Sequence, residues 1–436
     1  GGSFELPFTV TGIGTATIAS DVTLTATSGW SAACEWGSDK SSGKIKVTAP
    51  AALTPTLALS MTISDNHNRT AKLEATLTIV EISIAANAAN CYIVAPGSTL
   101  TIKAVEGNST TELNFNNAAL VWQDALGMVK SVSANSTEKV VVVQLNPGIA
   151  GNAVVAAKLD DVIVWSWHVW VADYDPMSDP FVWTDKSTGT SYTFMDRNLG
   201  ARNAEKYSAG ALGLLYQWGR KDPFPGDRIL RGTNTTDSRH FDSKPIYDMA
   251  GVQLTEGSQA EGTGIRSIKT DADPTRTGLA KSIVEPMVYL RGTEGYSDWF
   301  CCSEPTEMKR CDTLWCEPVR GKSPFDPCPE GWRVPADKNG EFIWNGLENA
   351  TTDYSALGVF PYAGFRYCAG GGCLKNSGFG ASIWSGTPPA GIGNAYELTI
   401  YIASYNQRPN IRRDISSRSD GQSVRCTEDE RHNETL

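Results

Sequence analysis

Polar and apolar residues alternate with a period of two through much of the first 170 residues, as they do in half-buried strands. Lys72-Leu73-Glu74-Ala75-Thr76-Leu77-Thr78-Ile79 is one such run, and Gly43-Lys44-Ile45-Lys46-Val47-Thr48-Ala49-Pro50 is another. Leu57-Ala58-Leu59-Ser60-Met61-Thr62-Ile63 reads as a strand leading into the turn cluster Ser64-Asp65-Asn66-His67-Asn68. Short strands at this spacing predict a small immunoglobulin-like sandwich over residues 1–83, with Cys34, beside Trp36, as a small buried residue. A second β-sandwich module is predicted over 84–175. Asn90-Cys91-Tyr92-Ile93-Val94 opens it, Lys139-Val140-Val141-Val142-Val143-Gln144-Leu145 is a buried strand, and a run from Val162 to Val171 closes it. In that run Ile163, Trp165, Trp167, Val169 and Val171 share one face; Ser166 and His168 lie on the other. Trp165 and Trp167 are therefore assigned to the core, which leaves Trp170 as the exposed ring that a sugar could use.

The acidic, proline-bearing stretch Asp173-Tyr174-Asp175-Pro176-Met177-Ser178-Asp179-Pro180 reads as a linker. A hairpin follows: Phe181-Val182-Trp183-Thr184, a turn at Ser187-Thr188-Gly189, then Tyr192-Thr193-Phe194-Met195. Leu212, Leu215 and Tyr216 have helical spacing and predict a short helix ending near Gly219. From 226 to 300 the chain is polar, Gly-rich and without periodicity, which predicts a long irregular loop. In Cys328-Pro329-Glu330-Gly331-Trp332-Arg333-Val334-Pro335 the two end prolines restrict the backbone and Gly331 permits a sharp turn. Trp332 and Val334 alternate with Arg333, as a short strand would. Asp337 is a candidate N-cap for a helix containing Ile343, Trp344 and Leu347. Ser423-Val424-Arg425-Cys426 lies almost a hundred residues further on, and Cys328 and Cys426 are read as tying the ends of one compact unit.

These ordered motifs carry a resemblance. CPEGWRVP, Ile383-Trp384-Ser385-Gly386-Thr387-Pro388, Ala395-Tyr396-Glu397-Leu398 and SVRC resemble the Fibrobacter succinogenes major paralogous domain family. So do Phe194-Met195-Asp196-Arg197-Asn198-Leu199-Gly200-Ala201 and the run from Gly213 to Pro225. The resemblance implies a C-type-lectin-like fold for residues 176–436 and a place on the surface of a Bacteroidetes cell. The N-terminal segment is similar, without a sharp motif, to Ig-like modules of Bacteroidetes surface proteins. The middle one resembles the module that often precedes the paralogous domain. The expected architecture is two all-β Ig-like sandwich modules followed by an α+β C-type-lectin-like domain.

Composition sharpens parts of this picture. A chain of 436 residues with 41% hydrophobic and 20% charged residues suits about three soluble domains. No run reaches the roughly 18 apolar residues of a membrane helix. The opening Gly1-Gly2-Ser3 is read as a chain trimmed of an export signal. Net charge is −10, shared as −6 over 1–175 and −4 over the remainder, so nucleic acid is not expected as a partner. Arg412, Arg413 and Arg418 form a small basic cluster, read as a solvated loop. Only Cys34 and Cys91 precede residue 300; eight follow. An even cluster in a Trp- and Gly-rich domain reads as disulfides of an oxidising compartment. Cys328–Cys426 and Cys368–Cys373 are the expected pairs, the second stapling the Gly370-Gly371-Gly372 tip. Cys301, Cys302, Cys311 and Cys316 are expected to pair among themselves, and Cys34 and Cys91 to stay unpaired. A zinc site built from the first four is the rival, although no His and no C-x2-C knuckle accompanies them.

Candidate chemistry is sparse. His67, His168, His240 and His432 accompany no Gly-x-Ser-x-Gly elbow, and no phosphate-binding glycine loop is present. A pair of glycosidase carboxylates cannot be singled out. The Cys301-Cys302 pair suggests formylglycine-generating enzymes, but adjacent cysteines bridge each other only with strain. Glu304-Pro305-Thr306 and Gln407-Arg408-Pro409-Asn410 match lectin calcium motifs poorly, so neither metal nor cofactor is expected. The sequence thus predicts a non-enzymatic, extracellular, outer-membrane-attached adhesion or glycan-binding protein, held there by a lipid anchor or a fimbrial assembly. Its partner would be a glycan or a host or bacterial surface protein. The alternative is a structural fimbrial-tip or surface-assembly subunit that binds protein partners by added strands. Trp299 and Trp315 are the candidate sugar-stacking rings, with Asp298, Asn406, Arg408 and Asn410 as polar contacts. Trp218, Trp332 and Trp384 are assigned to the core.

Overall fold

The computed structural model describes residues 3–11, 17–18, 23–27, 30–38, 40–48, 56–78, 82–84, 88–185, 188–205, 208–228, 243–255, 266–269, 277–292, 298–300, 312–317, 321–337, 343–344, 360–389, 393–401 and 410–429. It is almost entirely β, and its one α-helix among these residues has eight residues. Contacts divide the chain into two compact units, Gly1–Glu81 and Ile82–Leu436.

In the first unit, strands Ser3–Thr9, Ser42–Thr48 and Ser31–Trp36 form one antiparallel sheet. Thr23–Ala26, Thr56–Ser64 and Thr70–Thr78 form another. The predicted alternation places Ile45 and Val47 from one sheet against Leu57, Leu59, Met61 and Ile63 from the other, with Trp30, in a shared core. Cys34 is a thiol packed at the margin of that core. The turn cluster is fastened by Asp65, whose carboxylate accepts from the His67 and Arg69 amides and from Arg69 Nε.

The second unit opens with a further pair of four-stranded sheets. Asn117–Gln123, Gly151–Leu159, Val162–Val171 and Cys91–Val94 make one; Val129–Asn135, Val140–Leu145, Thr99–Lys103 and Ile82–Ile84 make the other. Trp165, Trp167, Val169 and Val171 pack between them, as the period-two reading assigned. The other face of Val162–Val171 is buried as well. Trp170 is fully enclosed and donates through Nε1 to Ala201 O at 3.1 Å, so it is not the exposed ring the sequence suggested. Cys91 is a buried thiol in the same layer, its pKa pushed far up by burial. Residues 195–426 supply the cover, and one core cluster joins Cys91, Trp122, Val154 and Trp170 to Met195, Trp218, Trp332 and Trp384. Asp173–Pro180, read as a linker, therefore runs within a single compact unit: Tyr174 packs on Trp170 and lies under the Arg197 guanidinium.

Polar groups stitch this interior. Asp124 accepts from Asn152 N and Nδ2 and from Lys244 Nζ. Asn152 also donates to Gly200 O. His168 is pushed down to about 3 by burial and is neutral. Its Nε2–H then donates to Asn152 Oδ1 at 3.0 Å, and Nδ1 accepts from the Tyr216 hydroxyl at 3.3 Å. Elsewhere Asn90 donates to Pro324 O and Asp326 O, and Trp165 Nε1 donates to Asn90 Oδ1.

The remaining strands gather around the segment from Gly421 to Glu428. Gly421–Ser423 pairs with Leu215–Gln217, Phe365–Tyr367 and Gly380–Trp384. Beyond these the sheet continues through Asn394–Tyr401 to Asn410–Ser417 on one side and to Cys373–Lys375 on the other. Thr427–Glu428 pairs with the predicted hairpin Phe181–Thr184/Ser191–Phe194 and with Trp332–Arg333. Two expectations change here. Leu215 and Tyr216 lie in a strand, not a helix, because both faces of that short strand find apolar neighbours; only Ala209–Ala211 forms a 3-10 turn. The 226–300 stretch contains a parallel pair, Arg266–Lys269 and Val288–Arg291, joined through the helix Thr277–Val284. Gly278 in that helix lies so close to the chain that a Cβ there would fall 2.9 Å from Trp299 O. The helix expected after Asp337 lies mostly outside the described residues.

Cys328 and Cys426 form the expected disulfide, separated by 98 residues. Gly331 takes the left-handed φ of 73° that the turn required, and buried Asp326 accepts from the amides of Cys328 and Val334. Cys368 and Cys373 are thiols in the structure, not the expected bridge. Cys373 is in register with Tyr367, and Cys368 lies beyond that strand in the 3-10 turn Cys368–Gly370. The Cys368 thiol meets Ser417 Oγ and is pushed up to about 12 by burial and by Asp420. Cys301, Cys302 and Cys311 lie outside the described residues, as does the side chain of Cys316.

Replacing Cys328 and Cys426 together by Ser is expected to lower stability by about 4–5 kcal/mol in the chain-entropy picture, read from the urea midpoint under non-reducing conditions. An unchanged midpoint would refute this. Asn152→Ala leaves Asp124, His168 and Gly200 O short of partners and is expected to cost about 2–4 kcal/mol. A loss under 1 kcal/mol would show that water replaces the amide.

Candidate functional site

Three neighbouring strands build a polar face. Gly380–Trp384 pairs antiparallel with Asn394–Tyr401, placing Trp384 opposite Glu397, Ser382 opposite Thr399 and Gly380 opposite Tyr401. Asn394–Tyr401 pairs in turn with Asn410–Ser417, placing Glu397 opposite Asp414, Thr399 opposite Arg412 and Tyr401 opposite Asn410. Successive side chains point to opposite faces of a sheet, and directly opposed residues share a face. Ile383, Leu398, Ile400 and Ile411 therefore go to one side, where they pack with Phe194 and Trp344. Glu397, Thr399 and Tyr401 go to the other, alongside Asp414, Arg412 and Asn410.

The row is graded in burial. Tyr401 is 41% exposed at its outer end, and Glu397 is 6% exposed at its inner end, beside the fully buried Trp384. At a strand rise of about 3.3 Å per residue, roughly 13 Å separates the two. Gly380 matters at the outer end, because a Cβ there would lie 3.3 Å from Tyr401 Cδ2; the glycine lets the ring settle against the sheet. At the inner end Trp384 is locked by donation from Nε1 to Tyr216 O at 2.8 Å. Gln422 lies opposite Tyr216 and joins this face.

Among the described residues, Glu397 Oε2, Thr399 Oγ1 and both amide atoms of Gln422 are buried without a hydrogen-bond partner. All four are closed to solvent, and the groups within reach of the Glu397 carboxyl are its neighbours Thr399, Ser382 and Gln422, so this inner end of the row is internal to the sheet. The Glu397 carboxyl is pushed up to about 7, first by burial. Thr399, Ser382 and Gln422 oppose the rise, and Asp414 adds to it. Asp414 is tied to Arg412 at 2.7 Å. The neighbouring Arg413 points to the opposite face, where it meets Asp337 and lies over Tyr396.

The candidates read from sequence fall in three places. Asn410 is on this face. Trp299 and Trp315 are not exposed rings: both are buried, with Nε1 donating to Trp218 O at 2.8 Å and to Arg220 O at 3.0 Å. Indole N–H groups that find backbone carbonyls can be interred even in irregular sequence, which is why the polar, Cys-rich surroundings misled. Asp298 is buried too, paired with Arg418 Nη1 at 3.2 Å. Asn406 and Arg408 lie outside the described residues. Trp218, Trp332 and Trp384 are core residues as assigned. Sequence reasoning missed Glu397, Thr399 and Tyr401. The signal was their alternation with Leu398 and Ile400, mirrored by Asn410, Arg412 and Asp414 across an eight-residue connection. No group of three or more metal-ligating side chains occurs among the described residues.

No family model matches the chain, and no curated protein matches it. Among solved structures it is similar to the Bacteroides ovatus mixed-linkage glucan utilization locus protein SGBP-B, solved in complex with a mixed-linkage heptasaccharide. That identity is 13% over 42% of this chain and 43% of the other, with a TM-score of 0.12. Yersinia pseudotuberculosis InvD matches at 13% identity over 58% and 67%, with a TM-score of 0.14. An endo-fucoidan hydrolase of glycoside hydrolase family 107 matches at 13% over 34% and 23%, also with a TM-score of 0.14. The chain spans less than half the length of the first of these, and likenesses at such TM-scores carry no argument about function.

The raised Glu397 carboxyl makes stability depend on pH. Between its ordinary 4.5 and about 7 the folded state keeps a proton that the unfolded chain has lost, so stability falls as pH rises through that window. The full span corresponds to a contribution on the order of 3 kcal/mol. Glu397→Gln is expected to flatten this part of the pH–stability curve and to be more stable than the parent at pH 8. Parallel curves for the two proteins would contradict it.

Proposed function

We propose that this protein is a non-enzymatic glycan-binding adhesin of a bacterial cell surface, with the sugar seated at the outer, exposed end of the polar row, on Tyr401 and Asn410. The carrying observation is the exposed Tyr401 ring at the outer end of the polar row, with Arg412 and Asp414 on the neighbouring strand. Sugar hydroxyls both donate and accept, so a row of them complements such a mixture, while the apolar face of a pyranose covers a tyrosine ring. Asn410, opposite Tyr401, adds a further amide. The C-type-lectin-like resemblance of residues 176–436 and their similarity to Bacteroidetes surface proteins support the same reading, including attachment at the outer membrane. Binding is proposed over turnover because Asp414, the second carboxylate of the face, is held by Arg412.

The full chain is expected to retain oligosaccharides on a glycan array. Tyr401→Ala and Asn410→Ala should each weaken the best ligand at least about tenfold, the loss of roughly one stacked ring or one well-placed hydrogen bond. The ligand should be recovered intact after prolonged incubation. Unchanged affinity in both folded variants would remove this site, and new reducing ends would end the non-enzymatic reading.

A further inference from the structure

We infer that two copies of the chain pair through the outer edge of Thr70–Thr78 in the first unit, antiparallel about a two-fold axis at Leu73. The inference concerns assembly and stands apart from the sugar-binding reading.

Among the described residues, Thr70–Thr78 ends its sheet, with Thr56–Ser64 on one side and no strand on the other. The hairpin turn decides which backbone groups are left over. Asp65 N donates to Arg69 O, so those two residues form a hydrogen-bonded pair. Such pairs alternate along an antiparallel ladder. Ala71, Leu73 and Ala75 therefore turn their N–H and C=O groups inward to Thr56–Ser64, while Thr70, Lys72, Glu74 and Thr76 turn theirs outward. A side chain is left over as well. Leu73 stands opposite Met61, and Ala71 opposite Ile63, on the face that makes the core of this unit. Yet Met61 is 2% exposed and Leu73 is 40% exposed, and no described residue of Thr70–Thr78 belongs to that core. The edge is a row of outward amides and carbonyls beside an uncovered leucine.

Charges on an edge strand ordinarily discourage pairing. Here their order admits a second copy of the same strand. Outward residues must meet outward residues, so the possible antiparallel registers differ by two residues. An axis at Lys72 sets Lys72 against Lys72, and an axis at Glu74 sets Glu74 against Glu74. Registers further out leave both charges without an opposite one. An axis at Leu73 sets Lys72 of each copy against Glu74 of the other, with Thr70 against Thr76 on the same face. On the other face it sets Ala71 against Ala75 and Leu73 against Leu73. The two leucines then form a non-hydrogen-bonded pair, where Cα atoms approach to about 4.5 Å and side chains are closest. One register thus pairs opposite charges on one face and covers the exposed leucine on the other. Lys72 and Glu74 already lie 2.6 Å apart on their own strand, with side chains 58% and 69% exposed, so both charged ends are open to a partner. One strand from each copy makes a small isologous interface, so the association is weak, micromolar or above.

The experiment is sedimentation equilibrium of the full chain from about 1 to 500 µM, with circular dichroism confirming the fold of each variant. Wild-type protein is expected to dimerise reversibly. Lys72→Glu and Glu74→Lys should each raise the dimer dissociation constant at least about tenfold, because each sets like charges opposite one another in two places. The double variant Lys72→Glu/Glu74→Lys should return to within about threefold of wild type, since opposite charges meet again in the same register. Leu73→Cys lies on the axis and is expected to give a covalent dimer on mild oxidation with diamide, with peptide mapping placing the link between the two introduced thiols. Thr76→Cys, which lies opposite Thr70 of the second copy, should give no link between its introduced thiols. A monomer at every concentration would overturn the inference. So would a dimer indifferent to both charge changes, which belongs to another surface. A dimer that links through position 76, or fails to link through position 73, belongs to another register and would overturn it too. Association that grows past the dimer would assign the edge to a strand donated head to tail, against the two-fold pairing.

Discussion

Eight residues, Gly421 to Glu428, supply the backbone hydrogen bonds on which most of the second unit depends. Gly421–Ser423 meets three other strands, and Thr427–Glu428 meets two more. Between them the Met195 amide donates to Cys426 O and the Leu199 amide to Val424 O. An extended backbone has two sides that must each be satisfied, and here every partner is distant in sequence. The disulfide at Cys426 fixes this segment to the turn at Cys328. The polar face depends on it as well, since Gln422 reaches it only because its neighbours are held in both directions.

Around that segment much of the chain is irregular, and its carbonyl oxygens have no ladder to join. Buried arginines take over this role. Arg366 donates to Pro225 O through two nitrogens, to Gly372 O and to Ser243 Oγ. Arg220 donates to Val288 O, Pro286 O and Gln217 Oε1, and burial pushes it down to about 10. A guanidinium has five donors in a rigid plane, so one side chain can terminate several loops at once. This explains a cationic interior in an acidic protein. These groups hold loops in place; they do not mark an anion site. Glu397 is the contrasting case, a buried ionisable group with no such partners.

Much of the strand content was legible in sequence. The alternations around Ile45, Leu59 and Trp167 each became a strand with the expected inward face, while Leu73 lies in a strand but is exposed. The turn at Gly331 and the Cys328–Cys426 pair were legible because proline, glycine and cysteine act locally or covalently. What failed was inference about the other face. Trp170 was judged exposed because a period-two pattern marks one buried side and is silent on whether a later part of the chain covers the second. Trp299 and Trp315 were judged exposed because irregular polar sequence usually is; their burial depends on carbonyls at Trp218 and Arg220, about 80 and 95 residues away in sequence. The polar row at Glu397 was visible as alternation, but its meaning depends on Gln422 and Asp414 standing beside it, which only strand register reveals.

The position of Gly421–Glu428 in chain order has a consequence for how the molecule is made. Every strand it pairs with lies upstream, so during synthesis those strands leave the ribosome without their shared neighbour. The first unit can close early, its sheets being complete by residue 78. The second cannot complete its largest sheet until residue 423 has emerged, and pairings of such sequence separation form slowly. Open strand edges must meanwhile survive without pairing wrongly, as in any large β protein folding from one end. A chain truncated just before Gly421 would keep nearly all of its sequence and lose the step that turns its later strands into one structure.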